Sequence, residues 1–112
     1  MPLVISGKNF KLTSGLKAYV EKHVDRLTKF SPSPVKEVRV ELDHDHNQQT
    51  GLVYRAEISL MLTDKTIKAG EKAEHMEEAI NLCIPKIISQ LEKFKSKKME
   101  KRKPGSESIR IS

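Results

Sequence analysis

Between residues 35 and 63 the chain twice alternates apolar and polar side chains, and nothing else in it restricts the possible folds as much. From Val35 to Asp43, Val38, Val40 and Leu42 fall on one side and Glu37, Arg39 and Glu41 on the other. From Leu52 to Thr63, Tyr54, Ala56, Ile58, Leu60 and Leu62 share a side opposite Arg55, Glu57 and Ser59. Successive side chains of a strand point to opposite faces, so both segments read as half-buried strands. The polar run from Asp43 to Gly51 reads as the loop between them. A sheet with one apolar face has to bury it under a second layer.

Two segments of helical period can supply that layer. Thr13 to Lys29 places Leu16, Val20, Val24 and Leu27 at spacings of four, four and three, with Thr13 as N-cap and Phe30 extending the stripe. Ser31-Pro32-Ser33-Pro34 ends it, because proline disfavours helical geometry in the residue before it. His75 to about Lys98 forms the longer helix, with Met76, Ile80, Cys83, Ile84, Ile87, Leu91 and Phe94 as its stripe. Glu77 and Glu78 in its first turn suit the helix dipole. Leu3-Val4-Ile5-Ser6, closed by Gly7, reads as a first strand. Thr66 to Lys72 follows a tight turn at Asp64-Lys65 and reads as a fourth, with Ile67 and Ala69 inward.

The expected fold class is α+β, a two-layer sandwich of order β-α-β-β-β-α. A right-handed first crossover makes strands one and two parallel neighbours. The rest form a meander, giving a four-stranded mixed sheet with both helices on one face. This layout is close to that of double-stranded RNA-binding domains. Residues 1–98 form one domain, and residues 99–112, with Pro104-Gly105 and several serines, are expected to be a mobile basic tail.

Charge is unevenly placed. Residues 1–85 hold 12 basic and 12 acidic side chains, whereas residues 86–112 hold nine basic and three acidic ones. A one-ended positive field suits a polyanionic partner, although a solubilising tail would look the same. Within the helices, Lys22, Arg26 and Lys29 lie on one side of the first. Lys86, Gln90, Lys93 and Lys97 lie on one side of the second, away from its apolar stripe. If both helices cover the same sheet face, the two rows could flank a single groove. Lysine and arginine rows neutralise RNA phosphates with release of counterions, and A-form RNA is recognised by shape and backbone. A platform of exposed rings on the sheet, as single-strand binders use, is not visible among Phe10, Tyr19, Phe30, Tyr54 and Phe94.

Other chemistry finds little support. No apolar run approaches the roughly 20 residues of a membrane span, and the N-terminus lacks a basic region before an apolar one. The only cysteine, Cys83, lies on an apolar stripe and reads as a buried small hydrophobe suited to a reducing cytoplasm. Five glycines, scattered singly, build no phosphate loop, and no nucleophile–base arrangement stands out. Asp43-His44-Asp45-His46 has metal-ligand residue types, but with no further ligand nearby a hydrophilic hairpin loop is the plainer reading. No catalytic activity, cofactor, metal, membrane or small-molecule substrate is expected. His23 beside the first row reads equally as a solvated histidine or as a group reaching RNA when protonated.

Specific residues carry a family resemblance. The opening strand with Gly7-Lys8-Asn9 looks like the start of the short ribosome hibernation-promoting factors and the ribosome-associated inhibitor called protein Y. The runs Met76-Glu77-Glu78-Ala79-Ile80-Asn81, Ile84-Pro85-Lys86-Ile87 and Gln90-Leu91-Glu92-Lys93 resemble the family's second helix. The resemblance spans roughly residues 3–98. It implies binding to the small ribosomal subunit and its rRNA, in the channel used by messenger and transfer RNA. It also implies inhibition of translation and protection of idle ribosomes in stressed or resting cells. The family's basic contact positions fall on Arg26, Lys29, Lys86, Lys93 and Lys97. Ser89 stands where the family has arginine, His75 where it has an acid, and Pro85 where a helix-compatible residue is usual. Pro85 leads us to expect a kink near residues 81–85. Long-form relatives carry a C-terminal dimerisation domain for which this chain is too short, and a monomer off the ribosome is expected. A generic duplex RNA or DNA binder sharing only the layout is the alternative.

Overall fold

In the computed structural model, residues 2–45 and 51–102 are described, with side chains described as far as residue 96. The elements run β1 (Leu3–Lys8), α1 (Ser14–Thr28), β2 (Val35–His44), β3 (Tyr54–Leu62), β4 (Thr66–Ala73) and α2 (Met76–Arg102). The sheet order is β1-β2-β3-β4, with β1 parallel to β2 and the other pairs antiparallel. This is the expected mixed sheet.

Alternation decides what is buried. Val38, Val40 and Leu42 of β2, Ala56, Ile58, Leu60 and Leu62 of β3, and Ile67, Ala69 and Ala73 of β4 form one apolar face. Leu16, Val20, Val24 and Leu27 of α1 and Met76, Ile80, Cys83, Ile87 and Leu91 of α2 join them in a single cluster. Each fully buried Leu, Ile or Val contributes roughly 1.5–3 kcal/mol relative to exposure. That area, more than helix propensity, holds the helices in place.

Local chemistry sets the boundaries. The Leu16 N–H donates to Thr13 Oγ1 at 3.2 Å, which makes Thr13 the N-cap of α1. β3 starts at Tyr54 rather than Leu52, because the Val53 N–H donates to Gly51 C=O at 2.9 Å and closes a turn. Gly51 has φ +89°, a left-handed conformation that glycine adopts without a Cβ clash.

α2 is continuous through Pro85, so the expected kink does not become a break. Pro85 and Asn81, whose carbonyl loses its helical donor at Pro85, are both exposed residues, so the lost bond falls on the side of α2 away from the core. The helix also runs past Lys98 to Arg102. The rest of the expected tail lies outside the described residues.

Phe30 departs from expectation. It is 47% exposed and does not extend the core stripe. α1 ends at Thr28, and the N–H groups of Lys29, Phe30 and Ser31 bond back to the carbonyls three residues earlier. The ring therefore falls on the turn toward β2, beyond the last buried residue, Leu27.

Candidate nucleic-acid interface

α1 buries Leu16, Val20, Val24 and Leu27, and helical spacing then turns Lys22, Arg26 and Lys29 outward. All three are exposed, and none belongs to an ion pair among the described residues. Three such cations within two turns, on a helix that also carries Glu21 and Asp25, offer side chains that can meet phosphate.

The α2 row meets different surroundings. Lys86 Nζ forms a salt bridge with Glu71 of β4, and Gln90 Nε2 donates to the Lys68 carbonyl at 2.9 Å. Glu71 shares the helix-facing side of β4 with Ala69 and Ala73, near the sheet edge, which is why α2 reaches it. Lys93 has no ion pair among the described residues and lines a shallow groove of about 330 Å³ with Lys65, Gln90, Phe94 and Ser96. Lys65 Nζ lies 5.4 Å from the centre of the Phe94 ring. The side chain of Lys97 lies outside the described residues.

The two rows therefore do not face each other across one groove. Between the helices, Tyr19 Oη donates to Asn81 Oδ1 at 2.5 Å, and the Tyr19 and His23 rings lie 4.5 Å apart. The α2 side turned to α1 is thus that of Asn81, whereas Lys86 and Gln90 are turned to β4. By its seven-residue spacing from Ile88, Lys95 falls on the α1 side. Sequence reasoning passed over Lys95, although its register with Ile84 and Ile88 was readable. Desolvation, then Arg26 and Lys22, lowers the His23 pKa below its ordinary value. His23 is thus mainly neutral near pH 7.

The uncovered sheet face is mixed in charge. Arg39 pairs with Glu37, and Arg55 Nη2 lies 3.5 Å from Glu57 Oε2. Gly70 gives Arg55 room to lie across β4, since an added Cβ would sit 2.8 Å from Nη2. A cleft of about 440 Å³ at one end mixes Lys8, Arg55 and Lys72 with Asp43 and Asp45. This face has no dominant sign.

His44 stacks on Tyr54 with ring centres 4.5 Å apart, and His46 lies outside the described residues. Among the described residues no group of three His, Cys, Asp or Glu could hold a metal ion. Cys83 is buried with Sγ 3.4 Å from the Ala56 carbonyl, and burial pushes its pKa up to about 11. No helix among the described residues is long and apolar enough to cross a membrane.

Comparison with known proteins fits this geometry. A ribosome hibernation promotion factor of Picosynechococcus is 30% identical over 102 residues, covering 91% of this chain and 53% of its own. Another, from Bacillus subtilis, is 30% identical over 104 residues, covering 91% and 53%. The chain thus spans about half the length of these curated relatives. The N-terminal domain of Thermus thermophilus protein Y superposes with a TM-score of 0.71 at 23% identity, covering 84% of this chain and 99% of that one. A ribosomal subunit interface protein from Coxiella burnetii gives 0.71 at 19% identity, covering 86% and 99%. Residues 3–99 match the model of one family, and by that match the chain belongs to the sigma 54 modulation protein / S30EA ribosomal protein family.

Proposed function

We propose that this chain is a cytoplasmic ribosome-binding factor that acts by occupancy rather than catalysis. Its helical face docks on small-subunit rRNA in the channel used by messenger and transfer RNA, inhibiting translation and protecting idle ribosomes. The observation that carries this reading is the α1 row: Lys22, Arg26 and Lys29 are exposed and unpaired among the described residues, in a chain of this family. Lys93 and Lys95 extend the surface on α2, and Lys86 and Gln90 join it by giving up their contacts to β4. Off the ribosome the chain is a monomer.

The test is cosedimentation with purified small subunits across a salt series. Binding at low ionic strength that weakens linearly on a log–log salt plot is expected, because phosphate contacts release counterions. Excess naked duplex RNA should not displace the protein. Displacement would support the generic duplex binder, and no association at low salt would end the ribosomal reading.

A further inference from the structure

Four of the five aromatic rings already have a partner. Phe10 packs edge-on to Tyr54, Tyr54 stacks on His44, Tyr19 lies against His23, and Lys65 sits over Phe94. Phe30 makes no ring or cation contact among the described residues and stands 47% exposed. It adjoins Lys29, the last member of the cationic row, just past the C-terminal end of α1.

The turn that carries Phe30 is well braced. The Phe30 N–H donates to Leu27 C=O at 3.0 Å and the Ser31 N–H to Thr28 C=O at 3.3 Å. Ser31 Oγ donates to the Ser33 carbonyl at 2.6 Å and accepts from the Ser33 N–H at 3.3 Å. Pro32 and Pro34 restrict the backbone further. Holding an apolar ring in water on such a turn brings no folding gain, whereas it lowers the ordering cost of a contact made there.

We propose that Phe30 is a base-stacking residue: it receives an unpaired nucleobase of structured RNA, while Arg26 and Lys29 take the adjoining phosphates. Every base offers a π-face, so such a contact tolerates any sequence and supplements phosphate recognition. The absence of aromatic platforms on the sheet does not bear on it, because this ring projects from a helix end. A protein pocket or a second copy of the chain are the rival occupants. Arg26 and Lys29 at the same end of α1 favour a polyanion. The proposal rests on the ribosomal reading above, and the experiment separates their failures.

The chain has no tryptophan, so Phe30→Trp creates a single indole reporter. Titrated with purified small subunits, this variant should bind like the parent and its emission should be strongly quenched by stacking. Phe30→Leu, which keeps an apolar side chain without a π-face, should bind about tenfold more weakly while its thermal unfolding is unchanged. If the parent and Phe30→Trp bind but the emission shifts blue without quenching, the ring enters a protein pocket and stacking is refuted. Equal binding by Phe30→Leu, or parent self-association that Phe30→Leu abolishes, refutes it as well. If the parent itself does not bind subunits, both readings fall together.

Discussion

α1 and α2 each present cations at helical spacing, yet the two rows differ in how free those cations are to act. On α1, Lys22, Arg26 and Lys29 project into solvent with no ion pair among the described residues. On α2, Lys86 is paired with Glu71 and Gln90 bonds to the Lys68 carbonyl. That carbonyl belongs to β4, an edge strand, so Gln90 helps cover an edge that would otherwise be open to strand addition. The α2 row thus docks its own helix as well as offering charge, and a count of lysines overstates what it has available for a partner.

The comparison breaks most clearly if the rows are neutralised separately. Changing Lys22, Arg26 and Lys29 together to glutamine should weaken binding to small subunits roughly a hundredfold and lower the log–log salt slope by about 2 to 3. Changing Lys86 and Lys93 to glutamine should lower that slope by only about 1, because Lys86 first has to leave Glu71. Equal effects in the salt series would show that intramolecular pairing does not restrain Lys86.

Glu71→Gln sharpens the same point from the opposite side. It releases Lys86 without touching any proposed contact, so binding should tighten about threefold. Stability, followed by urea unfolding, should change by less than about 1 kcal/mol, since the pair is solvent-exposed on the lysine side. Weaker binding would mean that Glu71 orients Lys86 for RNA instead of occupying it.

The smallest expected effect belongs to His23, between the rows. Its folded pKa lies below the ordinary 6.5 because burial and the neighbouring Arg26 and Lys22 disfavour the imidazolium. Folded stability is therefore highest with His23 neutral and declines as pH falls from about 6.5 through the lowered value. Binding should respond with the opposite sign, because protonation adds a cation beside Lys22 and Arg26. Lowering pH from about 7.5 to about 5.5 should tighten subunit binding about twofold more in the parent than in His23→Gln. Identical pH profiles for the two proteins would place His23 outside the contact.

Much of the architecture was legible because it rests on local periodicity. Val38-Val40-Leu42 and Ala56-Ile58-Leu60 alternate strictly, and Leu16-Val20-Val24-Leu27 recurs with the helical repeat, so each burial face could be read directly. Edges were less legible. Leu52 fits the alternation of β3, but the Gly51 turn excludes it, and Phe30 fits the α1 stripe, but the helix stops at Thr28. Pro85 leads to the expectation of a kink, and α2 stays helical through it with the proline on its exposed side.

Residue order alone determined that a sheet with one apolar face would be covered by two amphipathic helices, and which helical side chains would be charged. Tertiary structure decided what those charges meet, through contacts that span 15 residues from Lys86 to Glu71, 22 from Gln90 to Lys68 and 62 from Tyr19 to Asn81. The reason is rotational. Periodicity gives the angle between side chains around one helix, whereas packing against the sheet and the other helix gives the direction in which that whole arrangement points.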